Sequence, residues 1–524
     1  MSKIKRGKPA QRGTGGDRNE LQTLIHARTP LPTNCRPGRA DRINLSYREF
    51  IMWCGQVPLM DISSSAANQC RNENDSVRDV MRGFVTDTQR TLDEAPLSRT
   101  QIIAIALTAL MGAVDGYDVL AMAYAAPGIT EEWQINKATL GIALSSGLAG
   151  MAFGSLTLTP LADEFGRRKM ILAVLAVMGL GILLTAFSRS VTELSLLRVF
   201  TGVGMGALIP IIAPLAIEYS NVHRRRLALA IMTIGFPLGA TLGGFAAAAL
   251  LQYHGWHSVF LLGAAATLGL LVAAYFWLPE SPAFLIARRG PRALELYNDY
   301  LRRCGHEPAL QLPAPNAEGP KHSSYVTIFA HRQWTVTITL AAIDMLYLMT
   351  VYYVLSWTPQ LIVDLGHTSA FATMAVSLGA MVGVLASLAI GLIGINVPLR
   401  WITAGLMTGL SITTAAFGIG GFSTMGLVLL VAVTGTFLYG GTTAINGLIV
   451  NSFTVDSRAT GAGFVMGVGR LAGVISPALA GFLFTAGLQR PSVSVMISLC
   501  TLMAASLVLF SRQLRSVQGD LERS

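Results

Sequence analysis

The chain has 524 residues, 52% of them hydrophobic and only 13% charged, with 53 glycines, a mean hydropathy of +0.52 and a formal net charge of +10. An ordinary soluble domain carries roughly a quarter charged residues, so this composition excludes one soluble enzyme domain or a run of them and places the core against lipid. The basic balance does not indicate nucleic acid: 16 Lys/Arg and 11 Asp/Glu fall in the first 100 residues, and later cations lie in short segments between apolar stretches, which is a membrane pattern.

Residues 1–95 read as a disordered cytoplasmic head, with Pro30, Pro32, Pro37, many Asn/Ser/Arg and no periodicity. Its most apolar run, Phe50 to Met60, is broken by Gly55, Gln56 and Pro58 and lacks a signal-peptide core. Met81 stands shortly before the first apolar span and is a candidate translation start. Cys35, Cys54 and Cys70 lie in this head, and Cys304 and Cys500 stand alone, so neither a disulfide framework nor a metal cluster is expected.

A crossing of about 30 Å of hydrocarbon takes ~20 residues. In chain order, windows at 101–127, 138–162, 170–188, 194–217, 227–253 and 258–279 supply six spans. A polar link at 280–332 follows, and windows at 334–363, 368–399, 401–455, 459–487 and 491–511 supply six more, the 401–455 window breaking at Phe417 to Ser423 into two. The expected fold is an all-α membrane protein of twelve transmembrane helices in two pseudo-symmetric six-helix halves, 96–279 and 333–511, with a tail at 512–524. Counted alternately, one set of links and the tail holds 18 cations, whereas the other holds only Lys137, Arg189 and Arg490. That bias puts both termini in the cytoplasm. A shift of 234 residues superimposes Gly206 on Gly440, Arg224 on Arg458, Gly235 on Gly469 and Gly239 on Gly473, as expected of the paired repeats of secondary transporters.

Between the second and third spans lies Leu161-Ala-Asp163-Glu-Phe-Gly166-Arg167-Arg168-Lys169. Gly166 permits a tight turn, Asp163 can face a helix N-terminus, and Arg167 can pair with an acid on a neighbouring helix end, for which Glu218 is the candidate. With Arg458, the repeat mate of Arg224, these residues form the expected cytoplasmic gate. The segment resembles the loop signature of the major facilitator superfamily. Within it, Asp115-Gly-Tyr-Asp118 with Ala126-Pro127, Arg198 before Gly202-Val-Gly-Met-Gly206, Pro279-Glu-Ser-Pro282, Tyr353-Val-Leu-Ser-Trp357-Thr-Pro359 and Arg458-Ala-Thr-Gly461 with Gly469-Arg470 resemble the aromatic acid:proton symporter family. That resemblance covers roughly residues 90 to 510 and implies alternating access, an organic anion and protons as the transported species, and no cofactor.

A charge in mid-helix costs about 2.5–3.5 kcal/mol, so each intramembrane charge needs a reason. Five are present: Asp115, Asp118, Arg198, Asp344 and Arg470. Asp115 and Asp118, three apart, share one helix face, and are read as proton carriers whose proton affinity Arg198 tunes; the alternative is a structural ion pair between helices. Arg470 is read as a bidentate clamp for a substrate carboxylate, or else as an internal partner of Asp344. Asp344 aligns loosely with Asp115 and is either a second protonation site or that partner. Tyr353 and Trp357, four apart, could stack on an aromatic ring, although the end of a spanning helix is also where Trp settles at the interface.

The Gly202-x-Gly204-x-Gly206 run follows no strand and is not a dinucleotide fingerprint, and no GxxxxGK[ST] occurs, so ATP is not expected to drive the protein. Sets such as Gly150/Gly154, Gly235/Gly239/Gly243 and Gly379/Gly383 read as close helix packing. His254 and His257 lie in an outer loop and are not read as a metal site. The expectation is a non-enzymatic, monomeric inner-membrane importer of an aromatic or related organic acid coupled to protons, with lipid and the substrate anion as partners. Alternatives are an efflux antiporter, a carrier of a non-aromatic acid and, more distantly, a non-transporting membrane sensor.

Overall fold

The computed structural model describes residues 95–313, 329, 333–393, 398–453 and 457–511, without the side chains of residues 163, 391–393, 458 and 459. The chain divides into Met1–Arg78, none of which is described, and Asp79–Ser524, which holds everything below. The polar head with Met81, the second part of the central link and the tail from residue 512 lie outside the described residues.

Among the described residues, twelve helices are long and apolar enough to cross a membrane. The first half comprises α1 (Arg99–Trp133), α2 (Lys137–Thr157), α3 (Arg167–Thr185), α4 (Val191–Glu218), α5 (Arg225–Leu251) and α6 (His257–Trp277). The second comprises α7 (Gln333–Asp364), α8 (Ser369–Ile393), α9 (Leu399–Ile419), α10 (Thr424–Asn451), α11 (Arg458–Thr485) and α12 (Arg490–Phe510). Each lies within a few residues of its apolar window, and the long window breaks at Gly420 to Ser423.

Local chemistry sets the helix starts. Ser98 accepts from the Gln101 backbone N–H while the Gln101 side chain accepts from the Ser98 N–H, a reciprocal cap that begins α1. Asn136, Ser190 and Ser423 cap α2, α4 and α10 in the same manner through one bond each. The link carries short helices Pro282–Arg288 and Ala293–Arg303, packed on each other through Leu285, Ala293, Tyr297 and Leu301. Thr100 donates to the Arg303 carbonyl at 2.9 Å, tying the link to the start of α1. Cys304 is buried there, which pushes its thiol above the ordinary range.

Small residues let helices approach. Gly202 and Gly206 of α4 meet the backbones of Gly147 and Met151 on α2, and Gly150 and Gly154 of α2 meet Val199 and Val203 on α4. Between the halves, α2 packs on α11, α5 on α8 and α1 on α7.

The cores distinguish the two ends of the bundle. At the end bearing Lys137, one apolar cluster runs through both halves, joining Leu120, Tyr124, Leu140 and Phe260 to Tyr353, Trp357, Leu361 and Ala480. At the end bearing Arg167, each half keeps its own cluster, one around Met178, Leu208 and Tyr219 and one around Met407, Leu448 and Val465. Lys137 Nζ meets Asp364 across the halves at 2.6 Å, and the Ala138 N–H donates to Thr485 Oγ1 at 2.9 Å. The structure is therefore closed at the Lys137 end.

Candidate transport site

Asp115 and Asp118 sit on α1, only 2% and 1% exposed, facing the body of the protein and not lipid. Arg198 from α4 donates Nη1 to Asp118 Oδ1 at 2.7 Å and Nη2 to the Asp118 backbone carbonyl at 2.9 Å. Gly147 of α2 makes room for this guanidinium, since a Cβ there would stand 3.3 Å from Nη2, and the Phe260 ring lies 5.8 Å from its centre. The pair is buried on both sides, and Asp118 Oδ2 and Arg198 Nε remain without hydrogen-bond partners. Asp118 is thus neutralised by a fixed cation, the geometry of the structural pair.

Asp115, one turn earlier, is not part of that pair. Its Oδ1 is buried and unpartnered, and Asp118 and Arg470 lie within electrostatic reach. Arg470 of α11 is half-buried and makes no hydrogen bond or ion pair among the described residues. Asp344 of α7 is 3% exposed and lies against Gly469, where a Cβ would collide with its carboxylate. No ion pair joins Asp344 to Arg470, so the internal-partner reading of these two is not realised in this structure.

The register of Asp344 also differs from the loose equivalence with Asp115. Helices α1 and α7 start 234 residues apart, so Asp344 stands where the first half has Leu110, about 7.5 Å along the axis from the Asp115 level. In the same register Tyr352 occupies the place of Asp118.

Tyr352 was not singled out by sequence. Its ring packs on Gly473 of α11, and Arg470, Asp344 and Asp115 lie within its electrostatic reach. Asp344, Leu348 and Tyr352 recur every four residues, hence on one stripe of α7; extending that stripe from the intramembrane acid would have found the tyrosine. Tyr353 and Trp357 point elsewhere. Tyr353 is 1% exposed with its hydroxyl 2.8 Å from Ser494 Oγ, and Trp357 is fully buried, donating Nε1 to the Pro477 carbonyl at 3.1 Å and lying 5.0 Å from the Phe484 ring. Trp357 is therefore not at a lipid interface, and in this state both side chains bind α7 to its neighbours within the second half.

At the Arg167 end, Gly166 adopts φ 103°, a conformation L side chains rarely take, and interrupts the chain between Phe165 and α3. Arg167 pairs with Glu218 at the end of α4, and Ser281 donates to the same carboxylate. Sequence treated Pro279 to Pro282 only as a family marker, but Glu280 Oε1 accepts the Arg168 N–H at 3.0 Å and the Ser281 N–H at 2.9 Å. Arg168 closes the cluster by donating to the carbonyls of Leu278 at 2.7 Å and Tyr275 at 2.6 Å, at the C-terminal end of α6. The side chains of Asp163 and Arg458, also expected at this gate, lie outside the described residues. Among the described residues there is no group of three or more His, Cys, Asp or Glu that could hold a metal ion.

The profile of the Major Facilitator Superfamily matches residues 106–477. The gallate transporter of Pseudomonas putida is 30% identical over 434 residues, covering 81% of this chain and 94% of that protein. The 4-hydroxybenzoate transporter PcaK of Pseudomonas aeruginosa is 31% identical over 442 residues, covering 81% and 95%. Among solved structures, a D-xylose-proton symporter superimposes with a TM-score of 0.60 over 78% of this chain and 97% of its own, at 15% identity, a likeness of fold.

Proposed function

This chain belongs to the major facilitator superfamily, and from that premise we propose that it imports an aromatic or related organic acid together with protons. It is a multi-pass membrane transporter and not an enzyme. The 18 cations on the Arg167 side and three on the Lys137 side support a cytoplasmic Arg167 end, with both termini inside the cell and the protein in the inner membrane. In that orientation the chain is closed to the outside, the inward-facing arrangement of an alternating-access carrier.

One observation carries the substrate reading: Arg470 is a half-buried guanidinium that pairs with no anion among the described residues. A lone cation in hydrocarbon is costly, and an incoming carboxylate can meet the fork with two parallel hydrogen bonds. Tyr352 supplies an aromatic face beside it, and relatives named for gallate and 4-hydroxybenzoate transport support an aromatic acid.

Because Asp118 is neutralised by Arg198, Asp115 and Asp344 are the intramembrane carboxylates left to take up a proton. Substrate and proton enter from outside and the halves rock about their shared contacts. The Arg167–Glu218–Ser281 cluster holds α3, α4 and the link together on the cytoplasmic side and rearranges as that side opens and closes. Each protomer contains a full set of these groups, which supports a functional monomer.

Uptake of a labelled aromatic-acid panel into proteoliposomes under an imposed inward proton gradient tests this. Accumulation that collapses with a protonophore is expected; gradient-driven export, or no transport of any member, contradicts the proposal.

A further inference from the structure

A groove of about 940 Å³ opens on the outer surface of the first half, between α1, α5 and α6. Its wall residues Leu110, Ile231 and Leu242 are exposed, 54%, 41% and 64%, so in a spanning protein the groove faces lipid. Small residues make its floor: Gly235 and Gly239 of α5 touch the α1 backbone at Ala109 and Ala113, leaving no side chains to fill the crease. On the α6 wall, a Cβ at Gly269 would meet nothing within 4 Å.

Length and charge identify what the groove fits. Its α1 wall runs from Ala106 to Tyr117, about 17 Å at 1.5 Å per residue, close to half of a hydrocarbon core about 30 Å thick. Its α5 wall, Ile231 to Ala246, is longer, about 22 Å, so the crease has room for one extended acyl chain and reaches past the midplane. The Tyr117 ring, anchored by its hydroxyl to the Val259 carbonyl at 2.7 Å, packs between Gly243 and Gly263 at the end of the groove nearer the Lys137 side.

At the opposite end, Arg99 and Arg224 are both exposed. Arg99 begins the α1 stripe seven residues before Ala106, and Arg224 precedes Ile231 by seven, so each cation sits about 10 Å beyond the apolar wall, at headgroup depth.

We propose that this groove is a binding site for one anionic phospholipid, its acyl chain lying in the α1–α5–α6 crease and its phosphate held by Arg99 and Arg224. The site is separate from the transport residues on α7 and α11. Bound lipid would fill the space behind the α1–α5 contact.

Native mass spectrometry of the full-length protein, exchanged from detergent into defined phosphatidylglycerol or phosphatidylcholine, tests the site. Wild type should retain one phosphatidylglycerol in preference to phosphatidylcholine. Arg99→Gln and Arg224→Gln should each lower that preference about fivefold, the effect of one cation near an anionic surface. Gly269→Leu, which meets no neighbouring atom, should expel both lipids by filling the groove. Uptake by all three variants shows that they fold. Equal retention of the two lipids by wild type, a preference unmoved by the arginine substitutions, or retention unchanged in Gly269→Leu would each overturn the proposal, as would a second copy of the chain on this face.

Discussion

Arg198 in the first half and Arg470 in the second are each a guanidinium inside a spanning helix, yet their surroundings are opposite. Arg198 is held by the carboxylate and carbonyl of Asp118 through both terminal nitrogens and lies beside the Phe260 ring. Arg470 has the Asp115 carboxylate within electrostatic reach and makes no hydrogen bond or ion pair among the described residues. The glycine scaffold is shared, α5 on α1 through Gly235 and Gly239, α11 on α7 through Gly469 and Gly473. What differs is the cargo of the scaffold: where the first half has Asp118 the second has Tyr352, and where the second has Asp344 the first has Leu110. The first half ties its arginine to Asp118 in an ion pair between helices, and the arginine of the second half makes no such pair among the described residues.

The largest expected effect comes from breaking the locked pair. Arg198→Gln leaves Asp118 buried without its cation, a loss of about 3–5 kcal/mol, read as loss of folded protein in thermal unfolding of the solubilised transporter. The exchange D118R/R198D should recover much of it, and failure of the exchange alongside full stability of Arg198→Gln would remove the distinction between the arginines. Next is Arg470→Gln, which should keep the thermal stability of wild type while weakening substrate binding on the order of 10²-fold, two charge-assisted hydrogen bonds being lost.

Smaller in free energy but sharp in readout are Asp115→Asn and Asp344→Asn. Both should permit exchange of labelled for unlabelled substrate across the vesicle membrane, while at least one abolishes accumulation driven by the proton gradient. If neither does, the protons travel elsewhere. The smallest effect is that of Lys137→Ala. Its ion pair with Asp364 is partly exposed, 39% and 31%, and is worth no more than about 1 kcal/mol. Releasing it should shift the balance of states toward outward access by up to about fivefold, measured by labelling of a cysteine placed at the Lys137 end.

Most of the fold could be read from the chain because lipid imposes a simple demand: each crossing must be apolar, and charge must retreat to the links. The five intramembrane charges were visible for the same reason, as was Arg167 with its partner Glu218. Partner choice inside the bundle was less legible. Asp115 and Asp118 share a face, and only the angular position of α4, set by Gly202 and Gly206 against α2, decides which meets Arg198. Tyr353 and Trp357 stood out by spacing and composition, but the rotation of α7 turns them to Ser494 and Pro477 and brings Tyr352 toward Arg470. Glu280 and Ser281 join the Arg167 cluster through the fold of the link, which apolar periodicity does not describe.

The contrast between the arginines is tested most directly by equilibrium binding of a labelled aromatic-acid panel to purified protein, comparing wild type, D118R/R198D and Arg470→Gln. The two proteins that keep Arg470 should bind the same acid, and Arg470→Gln, though folded, should bind it on the order of 10²-fold more weakly. Unchanged affinity in folded Arg470→Gln would contradict the assignment of this arginine to the substrate carboxylate.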